Sequence, residues 1–311
     1  MTKVFIDGSA GTAGLRIHER IAARGDIELI SVPHQLRHDL KAKKDALNSA
    51  DIAFLCLPDE AAMEDVSLIE NEQVTVIDTS TAHRVNPDWV YGFPELSGKR
   101  EMIEKSKRIA NPGCHASGFI SLVYPLVKAG IIPPEAGLSC FSLTGYSGGG
   151  KKMISEYEEK GRDPLLNSPR QYGLGQEHKH LKEMTIIPGL FCPPVFCPIV
   201  ADYYCGMETV VSLFHKDIKG AIDDIKEIYK SVYGGKIVHY EEKPAENGLL
   251  AAGRLSDRDD MEISVLGNEE RIILVSRFDN LGKGASGAAV QNMNIIMGVD
   301  ETTGLVLGEE Q

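Results

Sequence analysis

The sequence of 311 residues predicts an α/β protein in two parts: a doubly wound, mostly parallel sheet, and an α+β domain with a mostly antiparallel sheet. Short apolar runs alternate with helix-like segments as far as about residue 112, a pattern typical of a parallel sheet covered by helices. Strand-like runs dominate from about residue 208. A glycine-rich turn opening a helix near the end of the chain indicates a return to the first domain. The predicted domains are therefore 1–112, completed by a C-terminal helix at 285–311, and 113–284.

Composition and net charge limit the classes of function that this chain can have. The hydrophobic content of 42% is sufficient for a substantial core, and the formal net charge of −12 argues against nucleic acid or an anionic membrane as a partner. A small anionic substrate is compatible with that charge, because the local field decides its binding. The chain opens on a strand-like run without a signal peptide, and its six cysteines are scattered. These features predict a reduced, cytoplasmic protein.

A glycine-rich turn follows the first predicted strand, Lys3 to Asp7, and precedes a predicted helix at Leu15 to Arg24. Strand, glycine turn and helix in this order indicate a Rossmann-like dinucleotide-binding unit, in which the pyrophosphate lies on the helix N-terminus. The spacing here is G-x-x-G-x-x-G. The predicted cofactor-binding residues of this turn are Gly8, Ser9, Ala10, Gly11, Thr12, Ala13 and Gly14.

The residues at the end of the second predicted strand, Ile27 to Val32, indicate which nicotinamide cofactor the chain binds. NAD-binding units place a carboxylate near its end to bind the ribose 2′-hydroxyl. This chain has none there, whereas Ser31 and Arg37 could receive a 2′-phosphate. The sequence therefore favours NADP(H), although Arg37 could instead lie on a solvated loop.

Polar residues follow the next two predicted strands, Asp51 to Leu57 and Val74 to Asp78. Ligands of open parallel sheets bind outside the carboxyl ends of the strands. Arg84, shortly after the second of these strands, is therefore a candidate substrate-binding residue.

The motif Asn111-Pro112-Gly113-Cys114 precedes a predicted helix at Ser117 to Lys128. A helix N-terminus carries about half a positive charge, and it lowers the pKa of a thiol placed there. Cys114 is thus a candidate nucleophile. The alternative is a buried cysteine that acts as a small apolar residue.

The glycine-rich segment 145–152 follows a predicted strand at Leu138 to Thr144 and ends in two lysines. It could bind a phosphate or carboxylate through main-chain N–H groups and charge, or it could be a hairpin or hinge. Its candidate substrate-binding residues are Ser147, Gly148 and Lys151.

His178 and His180 form a His-x-His pair. One imidazole could be the acid/base partner of Cys114, or the pair could be half of a zinc site. A third metal ligand would have to be Cys192, Cys197 or Cys205, which lack paired spacing. We therefore predict no metal.

The last third of the chain predicts three strands around one helix at Ile218 to Tyr233. The strands are expected at Thr209 to Phe214, Glu262 to Leu266 and Arg271 to Val275. A glycine-rich turn at 279–287 then leads into a helix at Ala288 to Met297.

A nucleophilic cysteine, a histidine, a dinucleotide turn and basic groups together indicate a reductase that acts through a thioester. The thiolate would displace a good leaving group such as phosphate, and the nicotinamide would reduce the thioester to an aldehyde.

The sequence resembles the short form of the N-acetyl-γ-glutamyl-phosphate reductase family, relatives of aspartate-semialdehyde dehydrogenase. The resemblance covers essentially the whole chain and rests on the segments 8–14, 78–84, 91–96, 111–114, 177–183 and 284–294. It implies NADPH-dependent reduction of N-acetyl-γ-glutamyl phosphate in arginine biosynthesis, with Cys114 as nucleophile and His178 or His180 as acid/base. It also implies that Arg84 and Lys151 bind the substrate, and that Asn280, Gly284 and Ser286 lie near the cofactor. The second domain would be catalytic, and its sheet would form a homodimer or homotetramer.

His115 and Ser117 depart from the family pattern, which has an aromatic residue directly after the cysteine and a threonine two positions later. The serine keeps the hydroxyl, whereas His115 leaves the identity of the base open. The alternatives are an aspartate-semialdehyde dehydrogenase, an inactive NADP-binding regulator and a zinc hydrolase. The sequence leaves open the oligomeric state, the strength of the NADP preference and the N-acyl group.

Overall fold

The computed structural model describes residues 1–37 and 39–308. The chain forms two compact units. The first comprises Met1–Pro112 and Ala285–Leu305, and the second comprises Gly113–Gly284 and the described residues from Val306 onward. In chain order the helices are α1 (Thr12–Ala22), α2 (Leu40–Ser49), α3 (Asp59–Leu68), α4 (Lys99–Lys105), α5 (Cys114–Lys128), α6 (Gly150–Glu158), α7 (Leu181–Ile186), α8 (Ile222–Val232) and α9 (Gly287–Met297).

The sheet of the first unit is parallel throughout. Its strand order is β2-β1-β3-β4-β6-β5, so the direction of winding reverses between β1 and β3. This sheet confirms the predicted doubly wound, Rossmann-like fold, and ligands of such sheets bind where the winding reverses. The strands are β1 (Thr2–Asp7), β2 (Ile27–Ile30), β3 (Ile52–Leu55), β4 (Thr75–Asp78), β5 (Val90–Tyr91) and β6 (Arg108–Ala110).

Both faces of this sheet are covered, which explains why its strands are continuous apolar runs in the sequence. Along β1, Val4 and Ile6 pack into one cluster with Val290 of α9. Phe5 points to the opposite face and packs with Leu47 of α2. Alternating side chains of one strand therefore belong to two different cores.

Several helix boundaries differ from the prediction. Helix α5 begins at Cys114 and not at Ser117, and helix α8 spans Ile222–Val232 and not Ile218 to Tyr233. Helix α1 begins at Thr12, three residues before the predicted start, because the last glycine of the turn lies within its first turn. Helix α9 ends at Met297, where Gly298 adopts a left-handed conformation with φ of 67°. This end agrees with the helix predicted at Ala288 to Met297, whereas the helix predicted at 285–311 to complete the first domain was too long. Residues 309–311 lie outside the described residues.

The sheet of the second unit has the order β11-β12-β13-β10-β7-β9-β8. Only the pairs β7/β9 and β11/β12 are parallel within this described sheet, so the predicted mostly antiparallel sheet is confirmed. The strands are β7 (Ser139–Gly145), β8 (Arg170–Gln171), β9 (Val195–Ala201), β10 (Met207–Phe214), β11 (Val238–Tyr240), β12 (Met261–Gly267) and β13 (Arg271–Phe278).

Helix α5 is the central element of the second unit, buried from His115 to Leu126. It lies on β10 and β13 at Gly118, where a Cβ atom would overlap the hydroxyl of Thr209 and meet that of Ser276 at 3.0 Å. The missing side chain lets the helix approach the sheet closely. On its other side, Tyr233 at the end of α8 donates a hydrogen bond to the carbonyl of Ser121. Among the described residues, no helix has the length and apolar character required to cross a membrane.

We expect Gly118→Ala to lower the free energy of unfolding by about 1–2 kcal/mol, since overpacking costs about 1–3 kcal/mol. Helix propensity alone would favour alanine by about 1 kcal/mol, so a net loss would show that packing dominates. Urea unfolding followed by circular dichroism measures the change. Gly137→Ala is the control, because a Cβ at Gly137 enters open space. An equal or higher stability for Gly118→Ala would contradict the close approach.

Candidate active site

The glycine turn of the first unit admits only glycine at two of its positions. Gly8 has φ of 79°, and a Cβ there would overlap the carbonyl of Cys56. A Cβ at Gly14 would overlap the carbonyl oxygen of Gly8. Gly11 is the N-cap of α1 and has no side chain to cover the helix N-terminus. The turn is thus a backbone-lined cradle at the positive end of a helix, as the pyrophosphate of a dinucleotide requires.

A cavity of about 620 Å³ adjoins this turn. Its lining includes Gly8, Ser9 and Ala10 together with Ser31 and Arg37. Residues predicted separately, for the pyrophosphate and for a 2′-phosphate, therefore share one cavity. The other predicted residues of the turn, Gly11, Thr12, Ala13 and Gly14, form the end of the turn and the start of α1.

Two charged residues in the wall of this cavity, Asp7 and Lys43, and the buried Asp65 that contacts Lys43 were not predicted from the sequence. The ammonium of Lys43 lies 3.0 Å from a carboxylate oxygen of Asp7 and 2.9 Å from one of Asp65. Burial, and then the neighbouring Asp7, raise the pKa of Asp65 to about 7 against the opposing effect of Lys43. Burial alone would lower the pKa of Lys43, but the two carboxylates outweigh burial and raise it. Lys43 follows Asp7 by 36 positions and precedes Asp65 by 22 positions, so no local sequence pattern could have predicted that they meet.

Arg84 and Ser286 are also buried in the first unit. The Arg84 guanidinium donates hydrogen bonds to the carbonyls of Asn111, at 3.0 Å, and Thr79, at 2.9 Å. It thereby ties the loop after β4 to the end of β6. Ser286 ends a π-helical segment, Gly282–Ser286, that leads directly into α9.

Cys114 is the first residue of α5, as predicted, and its side chain is half-buried. The preceding N–H of Gly113 donates to the carboxylate of Glu183 at 3.2 Å. A Cβ at Gly284 would lie 3.0 Å from the Cβ of Cys114, so glycine there lets this buried segment pack closely against Cys114. Two other cysteines are poor candidates for a nucleophile. Burial raises the pKa of Cys56 and of Cys205 to about 12, so these two remain thiols at neutral pH.

The structure brings the predicted histidine pair to this end of α5. His178 and His180 lie in a turn before α7, and His178 Nδ1 accepts a hydrogen bond from the main-chain N–H of His180. The ring centroids of the pair are 4.7 Å apart, and those of His178 and His180 lie 5.8 and 5.7 Å from that of His115. Phe196 of β9 packs against His178. Three imidazoles therefore share one partly apolar pocket.

His115 is the buried member of this group. Its Nδ1 lies 2.7 Å from the hydroxyl of Ser142, and its Nε2 lies 2.7 Å from the hydroxyl of Tyr172. Burial, and then the charge of His178, lower the pKa of His115 to about 3. A neutral imidazole with both nitrogens occupied is a poor general base. Tyr172 was not singled out from the sequence, where only its position six residues before His178 could have suggested it.

The glycine-rich segment 145–152 forms a tight turn and the start of α6. Ser147 is buried and accepts a hydrogen bond at 3.0 Å from the side-chain amide of Asn280, whose oxygen accepts from the N–H of Gly206. Gly148 lies beside the same amide, and Lys151 is exposed. Ser147 and Gly148 are thus next to Asn280, although the sequence suggested a different ligand for Asn280.

One group of potential metal ligands occurs among the described residues: Cys205, Asp257 and Asp279. The Cys205 thiol contacts the Asp257 carboxylate at 3.6 Å, and the Asp279 carboxylate accepts from the N–H groups of Leu281 and Gly282. Asp279 thus shapes a turn, and within the described chain the group includes neither histidine of the His-x-His pair. The zinc hydrolase alternative gains no support from this arrangement.

Comparison with known proteins identifies the class of this fold. The NAD binding domain of semialdehyde dehydrogenases matches residues 3–106, and their dimerisation domain matches residues 114–280. Aspartate semialdehyde dehydrogenases from Vibrio cholerae and Francisella tularensis share the fold, each with a TM-score of 0.70 and 16% identity. These alignments cover 96% of this chain and 98% and 100% of the two structures. The chain thus contains a nicotinamide-cofactor domain and a dimerisation domain of the semialdehyde dehydrogenase class.

Two full-length relatives define the family more narrowly. The N-acetyl-gamma-glutamyl-phosphate reductases of Brucella ovis and Brucella canis are each 43% identical over 307 residues. Each alignment covers 95% of this chain and 99% of the relative. The chain belongs to the N-acetyl-gamma-glutamyl-phosphate reductase family.

We expect the wild type to lose stability, relative to Asp65→Asn, as the pH rises from about 4 to about 7. In the unfolded chain, Asp65 has the ordinary aspartate pKa and loses its proton above about pH 4. In the folded state, the raised pKa keeps Asp65 protonated up to about pH 7. The folded state then binds more protons than the unfolded state, so its advantage falls with increasing pH, by at most about 1.4 kcal/mol per pH unit.

Urea unfolding at several pH values measures this slope. Asparagine retains an acceptor for Lys43, and Asp88→Asn, at an exposed position, is the matched control. Parallel pH profiles for wild type and Asp65→Asn would contradict the raised pKa of Asp65.

Proposed function

We propose that this chain catalyses the NADPH-dependent reduction of N-acetyl-γ-glutamyl phosphate to N-acetyl-L-glutamate 5-semialdehyde with release of phosphate, a step in arginine biosynthesis. The observation that carries the proposal is Cys114, a half-buried thiol at the first residue of α5. The ring of the next residue, His115, lies 5.8 and 5.7 Å from those of His178 and His180. The full-length similarity to reductases of this name supports the choice of substrate.

Cys114 is the proposed nucleophile. Its sulfur attacks the acyl carbon, the bond from that carbon to the phosphate oxygen breaks, and phosphate leaves with the electron pair, which yields a thioester. N–H groups in the first turn of α5 are suited to stabilise the transient oxyanion, because a helix N-terminus has main-chain donors without intrahelical acceptors.

The His178 and His180 pair is the proposed acid/base group. One of these imidazoles takes the thiol proton and later returns a proton as the thiolate is expelled from the reduced intermediate. We favour His178, because its ring is half-buried whereas His180 is buried at the start of α7.

The first unit is the proposed site of the cofactor. The cradle that excludes a Cβ at Gly8 and Gly14 suits the pyrophosphate, and Ser31 and Arg37 in the adjoining cavity suit a 2′-phosphate. When bound, the reduced nicotinamide supplies the hydride for the acyl carbon. Asn280, Gly284 and Ser286 remain proposed contacts of the cofactor. Arg84, Ser147, Gly148 and Lys151 remain proposed contacts of the substrate.

A homodimer or homotetramer formed through the sheet of the second unit is part of the proposal. Phe141, Val195 and Ile273 are exposed on one face of this sheet, and the chain contains the dimerisation domain of its class. An exposed apolar face of this kind marks an interaction surface. Sedimentation velocity at micromolar concentration tests this proposal, and the mass of a single chain would contradict it.

We infer a cytoplasmic location, since a thiolate nucleophile requires a reducing compartment. Cell fractionation followed by immunodetection tests the location. Recovery of the protein from an oxidising compartment would contradict it.

We expect Cys114→Ser to lower the rate by about 10³-fold or more, because serine is a far weaker nucleophile without an activated thiolate. The assay runs the reaction in reverse, from the semialdehyde, phosphate and NADP, and follows absorbance of the reduced cofactor. Replacement of the true base by asparagine, in His178→Asn or His180→Asn, should cost about 10²- to 10⁴-fold.

Cys192→Ser is the control for this assay, because Cys192 is an exposed free cysteine. Full activity of Cys114→Ser would contradict the thioester mechanism. Activity of the wild type with aspartate semialdehyde but not with N-acetyl-L-glutamate 5-semialdehyde would contradict only the proposed substrate. NADP binding without any turnover would favour the inactive regulator.

We expect Arg37→Ala to raise the KM for NADPH by roughly 10- to 100-fold, since a hydrogen bond to a charged group contributes about 1.5–3 kcal/mol. The KM for NADH should change little, because NADH has no 2′-phosphate. Steady-state kinetics with both cofactors measures this difference. Lys41→Ala removes an exposed cation from the neighbouring helix α2 and is the control. Equal effects on both cofactors would contradict the role of Arg37.

A further inference from the structure

Two carboxylates meet one ammonium at the cavity of the first unit. Lys43 Nζ lies 2.9 Å from Oδ1 of Asp65 and 3.0 Å from Oδ2 of Asp7. Asp7 is the last residue of β1 and lines the cavity together with Lys43, whereas Asp65 of α3 is fully buried. With both carboxylates ionised, this cluster of three residues has one negative charge without a counter-charge.

The hydrogen bonding of the cluster is incomplete as long as both carboxylates are ionised. Lys43 donates a hydrogen bond to Oδ1 of Asp65, whereas its contact with Asp7 lies outside hydrogen-bond geometry. Oδ2 of Asp65 and Oδ2 of Asp7 are both buried and accept no hydrogen bond within the described chain. Buried carboxylate oxygens without a donor are costly. One proton on the pair supplies a donor and removes the uncompensated charge.

The pKa of Asp65 agrees with a proton at this place. Burial, and then the side-chain contact with Asp7, raise the pKa of Asp65 to about 7 against the opposing effect of Lys43. Near neutral pH the pair therefore exchanges this proton with solvent. A further negative charge close to the pair favours the protonated form, because like charges disfavour ionisation.

The neighbouring ionisable groups come from four elements. Burial raises the pKa of Cys56, which follows β3, to about 12, so its thiol stays neutral. His18 of α1, Arg37 before α2 and Glu64 of α3 line the same cavity. His18 and Glu64 are therefore the groups that a test of the pair has to separate from Asp65.

The cavity beside the cluster is the proposed site of the dinucleotide. Gly8, the first glycine of the cradle, directly follows Asp7, and Ser31 and Arg37 line the same cavity. A pyrophosphate and a 2′-phosphate would place several negative charges here. An ionised cluster repels these charges, whereas the protonated cluster is neutral and does not.

We propose that NADP(H) binds to the form of the chain in which the Asp7 and Asp65 pair holds a proton, so that cofactor binding above neutral pH takes up a proton from solvent. The inference rests on the proposed cofactor site of the first unit. It gives the buried Asp65 an influence on cofactor affinity, which acts through its contacts with Asp7 and Lys43 in the cavity wall.

The test is isothermal titration calorimetry of NADPH into the full-length protein at about pH 7.5, in two buffers that differ in enthalpy of ionisation. The dependence of the binding enthalpy on the buffer gives the number of protons taken up. If the bound cofactor raises the pKa of the pair by about one unit, we expect uptake of about half a proton per chain.

The pH dependence of the affinity is the second readout. Because the complex binds more protons than the free protein, the Kd should rise with pH, by about 5-fold between pH 7 and pH 9 for the same shift of about one unit. The 2′-phosphate contributes little over this range, because the second pKa of a phosphate monoester is about 6.

Three variants assign the proton. Asp65→Asn keeps the shape of the side chain but exchanges no proton, so it should take up none and its Kd should stay constant between about pH 7 and about pH 9. Glu64→Gln is the matched control, because it removes one negative charge from an exposed position of the same cavity. It should change the Kd by a similar factor at every pH and retain the uptake. His18→Gln should also retain the uptake.

Binding of NADPH to the wild type without proton uptake would overturn the proposal, and this result does not depend on whether a variant folds. Uptake that persists in Asp65→Asn, or that disappears in His18→Gln, would overturn it as well. Proton uptake in a protein without reductase activity would leave this inference standing while the proposed reaction fails. Reductase activity without uptake would do the reverse, and absence of NADPH binding at any pH would overturn both.

Discussion

The close approach of helix α5 to its sheet at Gly118 is the constraint on which the second unit depends. A glycine there removes the atom that would overlap Thr209, so the helix lies against β10 and β13. The position of the helix fixes its first residue, Cys114, and the direction of its second, His115. Thr209 thereby has two roles, since the hydroxyl that limits the helix also contacts the hydroxyl of Ser142, which lies 2.7 Å from Nδ1 of His115. The contact between Gly118 and Thr209 therefore affects both the packing of helix α5 and the hydrogen bonding of His115.

Burial favours the neutral form of an ionisable group in both units, so it lowers the pKa of His115 and raises that of Asp65. In the second unit it removes the charge of His115, because an imidazolium would have to give up its hydration. The neutral ring then has one donor and one acceptor, which matches its contacts with the hydroxyls of Ser142 and Tyr172. In the first unit, burial of Asp65 is partly offset by Lys43, and the result is a carboxyl group that titrates near neutrality beside the proposed cofactor cavity.

The two units also differ in what their glycines do. In the first unit, glycine is required because main-chain atoms would collide with any side chain, as at Gly8 and Gly14. The space so preserved is suited to a phosphate that binds main-chain N–H groups. In the second unit, the missing side chain of Gly284 lets a buried segment pack closely against Cys114.

The sequence by itself determined the two-part fold, the glycine turn and the position of Cys114 at a helix N-terminus. Each depends on local patterns: apolar runs of strand length, glycine spacing, and a Pro-Gly step before a helical segment. Only the tertiary structure decided the surroundings of these elements. His115 adjoins Cys114 in sequence, yet its bonds to Ser142 and Tyr172 span 27 and 57 positions. Local patterns do not record which distant side chains meet, because burial and hydrogen bonding across the core arise only when the elements pack.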